Sequence, residues 1–272
     1  MMNAGTGVRA DSGIDMVIAE GDRLRVQHID GPAGRPTLVF LHEGLGSIAQ
    51  WRDFPAQACE AIGMPGLVYE RRGHGGSDPV TLPRPDDFLR HEAERVLPAV
   101  LAGCGVTRHV LLGHSDGGAI ALIYAALYPD RPETVITMAA HVMMEATTRE
   151  GLAGVAQRWR SDPQFAARLA RHHGDNTQAM LAGWIDVWTR ESMADWSITG
   201  LLSRIICPVL AIQGECDEHG SWDQVEAIVN LSSGPAQAFR VQECGHAPHL
   251  DAGPAVLDRI RAFLAALPPR SA

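Results

Sequence analysis

Short apolar runs alternate with helical patterns along most of the chain. Apolar or alternating runs predict eight strands, at residues 16–20, 23–29, 37–41, 66–69, 110–112, 134–139, 208–213 and 238–242. Amphipathic or alanine-rich patterns predict helices that include 51–62, about 86–102 with a kink at Pro98, 119–127 and 254–267. Strands that alternate with helices typically form a mostly parallel sheet covered on both faces.

The periodicity changes between the sixth and seventh predicted strands. Residues 141–203 show only helical periodicity and offer no strand. We therefore expect residues 1–140 and 204–272 to form one α/β core, and residues 141–203 to form an all-helical insertion. Residues 1–13 have no regular pattern and are expected to be disordered.

Composition limits the class of protein. A chain of 272 residues, 46% hydrophobic and 20% charged, can bury a full core. The net charge of −9 and the lack of a basic stripe argue against a nucleic-acid partner. No window reaches the ~18 unbroken apolar residues that a membrane span needs. The five scattered cysteines favour free thiols in a reducing compartment, so we expect a cytoplasmic protein of undetermined oligomeric state.

The predicted strand at 110–112 ends in Gly-His-Ser-Asp-Gly at residues 113–117, and a helical run follows. A strand, a tight turn and a helix in this order are the context of a nucleophile elbow. Such a turn should strain the backbone of Ser115, and it brings the chain so close that Gly113 and Gly117 cannot carry side chains. Ser115 is therefore the candidate nucleophile.

A serine hydroxyl needs a base near neutral pH, usually a histidine held by a carboxylate. The last two predicted strands end in Gly-Glu-Cys-Asp at 214–217 and in Gly-His-Ala-Pro-His at 245–249. The carboxyl ends of parallel strands share one edge of a sheet, so Asp217 and His246 can approach Ser115 there.

With Glu-x-Arg-Gly-x-Gly-x-Ser at residues 70–77, these motifs resemble the α/β-hydrolase superfamily from about residue 20 to 267. The first glutamate of that turn replaces the aspartate usual in the superfamily. The resemblance implies an α/β-hydrolase fold, with an eight-stranded, mostly parallel sheet and an inserted helical lid. It implies Ser115 as nucleophile, Asp217 as orienting acid and His246 as general base, with no cofactor and no metal.

Rival assignments remain open at this point. Glu215 and Glu218 compete with Asp217 for the role of acid, and His249 is a less favoured base than His246. If the pKa of the base is not strongly shifted, activity should rise with pH through roughly 6–7.

The resemblance also implies an oxyanion hole made of two backbone N–H groups. One donor should be Asp116, directly after the nucleophile. The second should be Gly44 or Leu45, in a loop where Glu43 stands in place of the glycine usual in the superfamily. A Glu43 carboxylate that faced the oxyanion would repel it, so we expect the side chain to turn away and pair with an arginine such as Arg71.

The helical insertion is rich in tryptophan and methionine, which favours a mostly apolar substrate and suits an aromatic one. The candidate pocket residues are His141, Met143, Trp159, Trp184 and Trp188. An arginine of the insertion could bind a substrate carboxylate.

The sequence thus predicts an enzyme, a serine hydrolase that acts on small carboxylic esters through an acyl-enzyme. A hydrolase of carbon–carbon bonds in ring-cleavage products is the alternative, although members of that group often have Asn where this chain has His114. A lactonase, a thioesterase or a ligand receptor on the same fold also stays open. Gly-His-Gly-Gly at 73–76 lacks dinucleotide-binding spacing, which disfavours an oxidoreductase.

Overall fold

The computed structural model describes residues 13–268, which contain one eight-stranded sheet. Its strands are β1 (Gly13–Ala19), β2 (Asp22–Ile29), β3 (Thr37–Leu41), β4 (Gly66–Tyr69), β5 (His109–His114), β6 (Pro132–Met138), β7 (Val209–Gly214) and β8 (Ala236–Val241). They lie in the order β1-β2-β4-β3-β5-β6-β7-β8. The β1–β2 and β2–β4 pairs are antiparallel, and every other pair is parallel. The predicted α/β-hydrolase architecture is confirmed.

The strands alternate with helices. These are α1 (Phe54–Ile62), α2 (Phe88–His91), α3 (Leu97–Gly103), α4 (Asp116–Leu127), α5 (Ala146–Ser161), α6 (Pro163–His173), α7 (Thr177–Thr189), α8 (Thr199–Leu202), α9 (Trp222–Leu231), α10 (Pro248–Asp251) and α11 (Gly253–Ala266). Among the described residues, no helix is both long and apolar enough to cross a membrane. All five cysteines are free thiols.

The sheet divides the hydrophobic core into two layers. Helices α1 and α11 pack on one face, where Phe54 and Phe263 are buried against strand residues such as Phe40. Helices α3, α4 and α9 pack on the other face. Helix α4 is buried on nearly all sides, because it lies between the sheet and further helices. It therefore gives the turn before it a rigid support.

The segment between β6 and β7 contains only helices and short 3₁₀ turns, apart from one isolated bridge between Met143 and Ser197. It spans α5 to α8, and we call residues 141–203 the helical insertion. Its predicted helical character is confirmed.

The helix predicted at about 86–102 is present as α2, a π-helical turn at Glu92–Val96 and α3, and the backbone angles at both junctions are those of a right-handed helix. Pro98 lies directly after the π-helical turn, where the hydrogen-bond pattern of this helix is irregular. The predicted disorder of residues 1–13 lies outside the described residues except at Gly13, which begins β1.

Candidate active site

Ser115 lies in the sharp turn between β5 and α4. Its φ of 52° and ψ of −117° are strained for a residue with a side chain. A Cβ on Gly113 would lie 2.2 Å from the Gly117 carbonyl oxygen, and one on Gly117 would lie 2.0 Å from that of Leu41. The Ser115 N–H donates to the Met138 carbonyl at 2.9 Å, which fastens the turn to β6. The strain and close approach predicted for an elbow are present.

His246 and Asp217 meet at the ends of β8 and β7. The His246 Nδ1–H donates to Asp217 Oδ1 at 2.8 Å. Asp217 Oδ1 also accepts the His219 N–H at 2.9 Å. Because this bond places the proton on Nδ1, Nε2 of His246 is left as an acceptor. His114 Nε2–H donates to the His246 carbonyl at 2.7 Å and steadies the loop that carries the imidazole.

Burial sets the protonation of this pair. It lowers the pKa of His246 well below 6.5, and His141 and His219 nearby lower it further. Burial also raises the pKa of Asp217. The hydrogen bond from the His219 N–H lowers that pKa in part, because it favours the charged carboxylate. A neutral imidazole beside an orienting carboxylate is the state that a general base requires.

The rival residues are placed differently. The His249 ring packs against Trp51 and His114, each with ring centroids 4.8 Å away, and burial lowers its pKa to about 2. Glu215 and Glu218 are exposed. The geometry thus favours His246 and Asp217 over each of the alternatives.

A cavity of about 140 Å³ opens at this edge of the sheet, and both Ser115 and His246 line it. The core also contributes Asp116 and His219 to its wall, and His141 lines it at the start of the helical insertion. The helical insertion contributes Thr148, Leu152, Val155, Trp184 and Trp188. The insertion therefore forms one wall of the compartment that holds the candidate nucleophile and base.

Three of the five predicted pocket residues line the cavity, namely His141, Trp184 and Trp188. Met143 and Trp159 do not. The Met143 N–H donates to a glutamine of α9, and Trp159 packs against the larger core layer.

Thr148, Leu152 and Val155 line the cavity but were not predicted. Their spacing of four and three residues puts them on one face of α5, so the helical periodicity of the sequence could have indicated that they point the same way.

The loop after β3 lies beside the elbow, because Leu41 pairs with Gly113. Gly44 lines the cavity, and a Cβ there would lie 2.1 Å from Trp184 Nε1, so only glycine fits against that indole. The Leu45 N–H donates to Glu43 Oε2 at 3.0 Å and is thus engaged within the loop.

Glu43 does not form the expected ion pair with an arginine of the described residues, although Arg71 attracts its carboxylate. Glu43 lines the cavity, and its carboxylate accepts the N–H of Leu45. The Arg71 guanidinium instead donates to the carbonyls of His42 and Glu43, at 2.5 and 2.8 Å. Burial raises the pKa of the Glu43 carboxyl to about 7. Attraction by Arg71 lowers this pKa, and repulsion by Asp116 raises it.

Comparison with known proteins places this geometry in a family. Residues 36–174 match the family model described as the alpha/beta hydrolase fold. The chain belongs to the α/β-hydrolase family.

Relatives of this α/β hydrolase include enzymes of two named activities. The chain is 23% identical over 265 residues to 2-succinyl-6-hydroxy-2,4-cyclohexadiene-1-carboxylate synthase of Salmonella paratyphi C, covering 89% of this chain and 98% of the relative. It is 32% identical over 124 residues to a 2-hydroxy-6-oxononadienedioate/2-hydroxy-6-oxononatrienedioate hydrolase of Paraburkholderia phymatum, covering 45% of this chain and 42% of the relative.

Solved structures share the fold. Carboxylesterase CesB from Bacillus subtilis superposes with a TM-score of 0.72 at 19% identity, over 96% of this chain and 94% of that one. At this level of identity, the likeness shows the fold of the α/β hydrolase alone.

The Glu-x-Arg-Gly turn of the hydrolase holds the loop after β3 in place. The Glu70 carboxylate accepts the N–H of Ile48 at 3.0 Å and that of Gly76 at 2.7 Å. Glutamate therefore bridges two loops at the position where the superfamily usually has aspartate. Together with Arg71, it fixes the backbone that faces the cavity.

Proposed function

We propose that this α/β hydrolase is a serine hydrolase of small carboxylic esters. The observation that carries the proposal is the 2.8 Å bond between His246 Nδ1 and Asp217 Oδ1, in a cavity that His246 shares with the strained Ser115. A nucleophile, a base and an orienting acid on three strand ends are the parts that acyl transfer needs.

In the proposed reaction, Ser115 Oγ attacks the ester carbonyl while His246 Nε2 takes the hydroxyl proton. The carbonyl oxygen becomes an oxyanion, which accepts hydrogen bonds from the backbone N–H groups of Asp116 and Gly44. Gly44 is preferred to Leu45 because the Leu45 N–H already binds Glu43. One such donor contributes about 3–4 kcal/mol in other hydrolases.

Collapse of the tetrahedral intermediate breaks the bond to the alcohol, which leaves with the proton from His246. Water then attacks the acyl group on Ser115 while His246 accepts a proton from that water, and His246 returns this proton to Ser115 Oγ as the carboxylic acid departs. Asp217 keeps the imidazole in the required tautomer throughout.

The helical insertion acts as the lid in this proposal. Leu152, Val155, Trp184 and Trp188 give the cavity an apolar wall opposite the nucleophile. Such a wall excludes water and strengthens electrostatic interactions inside the site.

The carbon–carbon hydrolase alternative draws support from the Paraburkholderia relative, whose name denotes a dicarboxylate substrate. The name of the Salmonella relative also denotes a carboxylate. Within residues 13–268, no arginine lines the cavity of this chain, whereas Glu43 and Asp116 do. Because carboxylate-rich substrates would meet like charge there, an ester hydrolase is favoured.

The test is turnover of p-nitrophenyl esters together with labelling by a fluorophosphonate probe. Ser115→Ala should abolish both, while Ser161→Ala, which changes an exposed serine at the end of α5, should abolish neither. Full labelling of the Ser115 variant would refute the assignment. Binding of esters by the unaltered protein without turnover would instead indicate a receptor.

Assays with a matched thioester, a lactone and a ring-cleavage-type diketone rank the remaining activities by kcat/KM. A preference for the diketone over every ester would replace the proposed function with carbon–carbon bond hydrolysis.

A further inference from the structure

The cavity beside Ser115 contains acidic groups without basic counterparts. Glu43 and Asp116 line it, and both belong to the loops that surround the nucleophile. The sequence contains no lysine, and no arginine of the described residues lines this cavity. Two buried arginines interact with these groups without lining the cavity: Arg71 attracts Glu43 but donates its hydrogen bonds to backbone carbonyls, and Arg84 interacts electrostatically with Asp116. Burial raises the pKa of Glu43 to about 7, so a cation bound beside it would favour the charged carboxylate. The described wall therefore presents two carboxyl groups and no arginine to a bound substrate.

Two histidines of the cavity, His219 and His246, do not supply that positive charge. Burial lowers the pKa of His246 and also that of His219. The imidazole of His246 must in addition be neutral in order to act as a base. A cationic group on the substrate would supply the positive charge that the wall of the cavity lacks.

Two aromatic side chains, those of Trp184 and Trp188, also line the cavity. Trp184 Nε1–H donates to Asp116 Oδ2 at 3.0 Å, which fixes the indole between the lid and the elbow. Trp188 is held edge-on by Phe88 and Trp196, with ring centroids 5.8 and 5.0 Å away. Indole faces attract ammonium groups, and that attraction increases when water is excluded.

We propose that the substrate of this hydrolase carries an ammonium group, which Glu43, Asp116 and the indoles of Trp184 and Trp188 bind. This inference rests on the proposed ester hydrolysis and adds the class of substrate. An ammonium group near the lid balances the carboxylates and leaves the ester carbonyl at Ser115. A neutral ester makes neither interaction, and an ester with a free carboxylate is repelled.

The experiment compares esters that differ only in charge. Butyrylcholine is paired with 3,3-dimethylbutyl butyrate, in which carbon replaces the ammonium nitrogen of the alcohol. The p-nitrophenyl ester of 4-(trimethylammonio)butyrate is paired with that of 5,5-dimethylhexanoate, which makes the same replacement in the acyl part. We expect the ammonium ester of at least one pair to have a kcat/KM about tenfold higher, at a fixed ionic strength.

Glu43→Gln is the variant that tests the charge, because it keeps the shape of the side chain. The preference for the ammonium ester, which is the ratio of the two kcat/KM values measured for the same variant, should fall below about threefold. Glu226→Gln, an exposed glutamate on α9, is the matched control and should keep the full preference.

A binding measurement does not depend on turnover. Titration of the unaltered protein with tetramethylammonium chloride by calorimetry, against sodium chloride, should show binding that Glu43→Gln weakens about tenfold. No binding, or equal binding by the variant, overturns the inference.

Failure of the inference is distinguishable from failure of the proposed function. Equal or faster hydrolysis of both neutral esters, with Ser115 still labelled by the fluorophosphonate, overturns the ammonium substrate and leaves the ester hydrolase standing. No hydrolysis of any ester and no labelling overturns both.

Discussion

Asp217 holds the imidazole of His246 through one short bond, and that bond can be removed with little change in shape. Asp217→Asn replaces the acceptor with an amide that can favour the wrong tautomer, so kcat should fall by about 10⁴-fold, as in other triads. The neighbouring Glu218→Gln, which changes an exposed carboxylate, should leave kcat within about twofold. If both variants lose activity equally, Asp217 is not the orienting acid.

The pH profile depends on the burial of the same histidine. Because burial lowers the pKa of His246 well below 6.5, its imidazole stays neutral into acidic solution. The acid limb of kcat/KM should therefore lie below pH 6.5, and not in the window of 6–7 expected for an unshifted base. The measurement is kcat/KM for a neutral p-nitrophenyl ester from pH 4.5 to 8. A midpoint at or above 6.5 would contradict the burial argument.

The proposed catalytic residues could be named from the sequence because each occupies a motif tied to a backbone shape. Ser115, Asp217 and His246 follow strands, and close backbone approach requires glycine at Gly113, Gly117 and Gly214. The ion pair expected for Glu43 was inferred from repulsion between its carboxylate and the oxyanion. Within the loop, that carboxylate instead accepts the Leu45 N–H, and a sequence alone does not reveal a hydrogen bond of this kind.

At the scale of elements, the elbow is where helix α4 and strand β3 approach most closely. Gly117→Ala places a Cβ 2.0 Å from the Leu41 carbonyl oxygen, which must push the strand away from the helix. We expect the free energy of unfolding to fall by about 2–4 kcal/mol, together with a loss of activity. The measurement is urea denaturation followed by circular dichroism.

Gly154→Ala is the control, because a Cβ there meets no atom within 4 Å on helix α5. This change should raise stability by about 0.5–1 kcal/mol, since alanine favours a helix over glycine. Equal effects of the two changes would contradict the crowding at the elbow.

Strand bounds were predicted best where the chain is buried on both faces. Residues 37–41 and 66–69 match β3 and β4, whose apolar runs end at polar or glycine-rich loops. Strand β8 was predicted two residues late, because it lies at the edge of the sheet and alternates less clearly. Helix α9 was missed because its polar first turn resembles the loop before it.

At the scale of the whole molecule, burial shifts the pKa of many ionisable groups toward the neutral form. Burial lowers the pKa of a set of histidines: His42, His74, His114, His173, His219, His246 and His249. Burial also raises the pKa of Glu43, Glu70, Glu92 and Asp217. The unfolded chain would ionise these groups at their ordinary values, so stability must vary with pH.

The two sets act in opposite directions as the pH falls below 7. The unfolded chain binds protons at histidines that the fold keeps neutral, which lowers stability by up to about 1.4 kcal/mol per pH unit for each histidine. The carboxyls with a raised pKa bind protons in the fold at a higher pH than in the unfolded chain, so they oppose part of this loss until about pH 4.5. The more numerous histidines should dominate, and stability should decrease between pH 7 and 5.

A change at His249 tests the contribution of one buried histidine to the pH dependence of stability, because His249 lies outside the proposed catalytic machinery. Its ring faces His114 and Arg52 and packs on Trp51, and its pKa is lowered to about 2. His249→Gln should therefore reduce the loss of stability between pH 7 and 5 by about 2 kcal/mol. Urea denaturation of each variant at both pH values measures this difference, and any cost of altered packing cancels within a variant. The exposed His172→Gln should leave the difference unchanged, and a similar result for His249→Gln would contradict the burial of a neutral imidazole at that position.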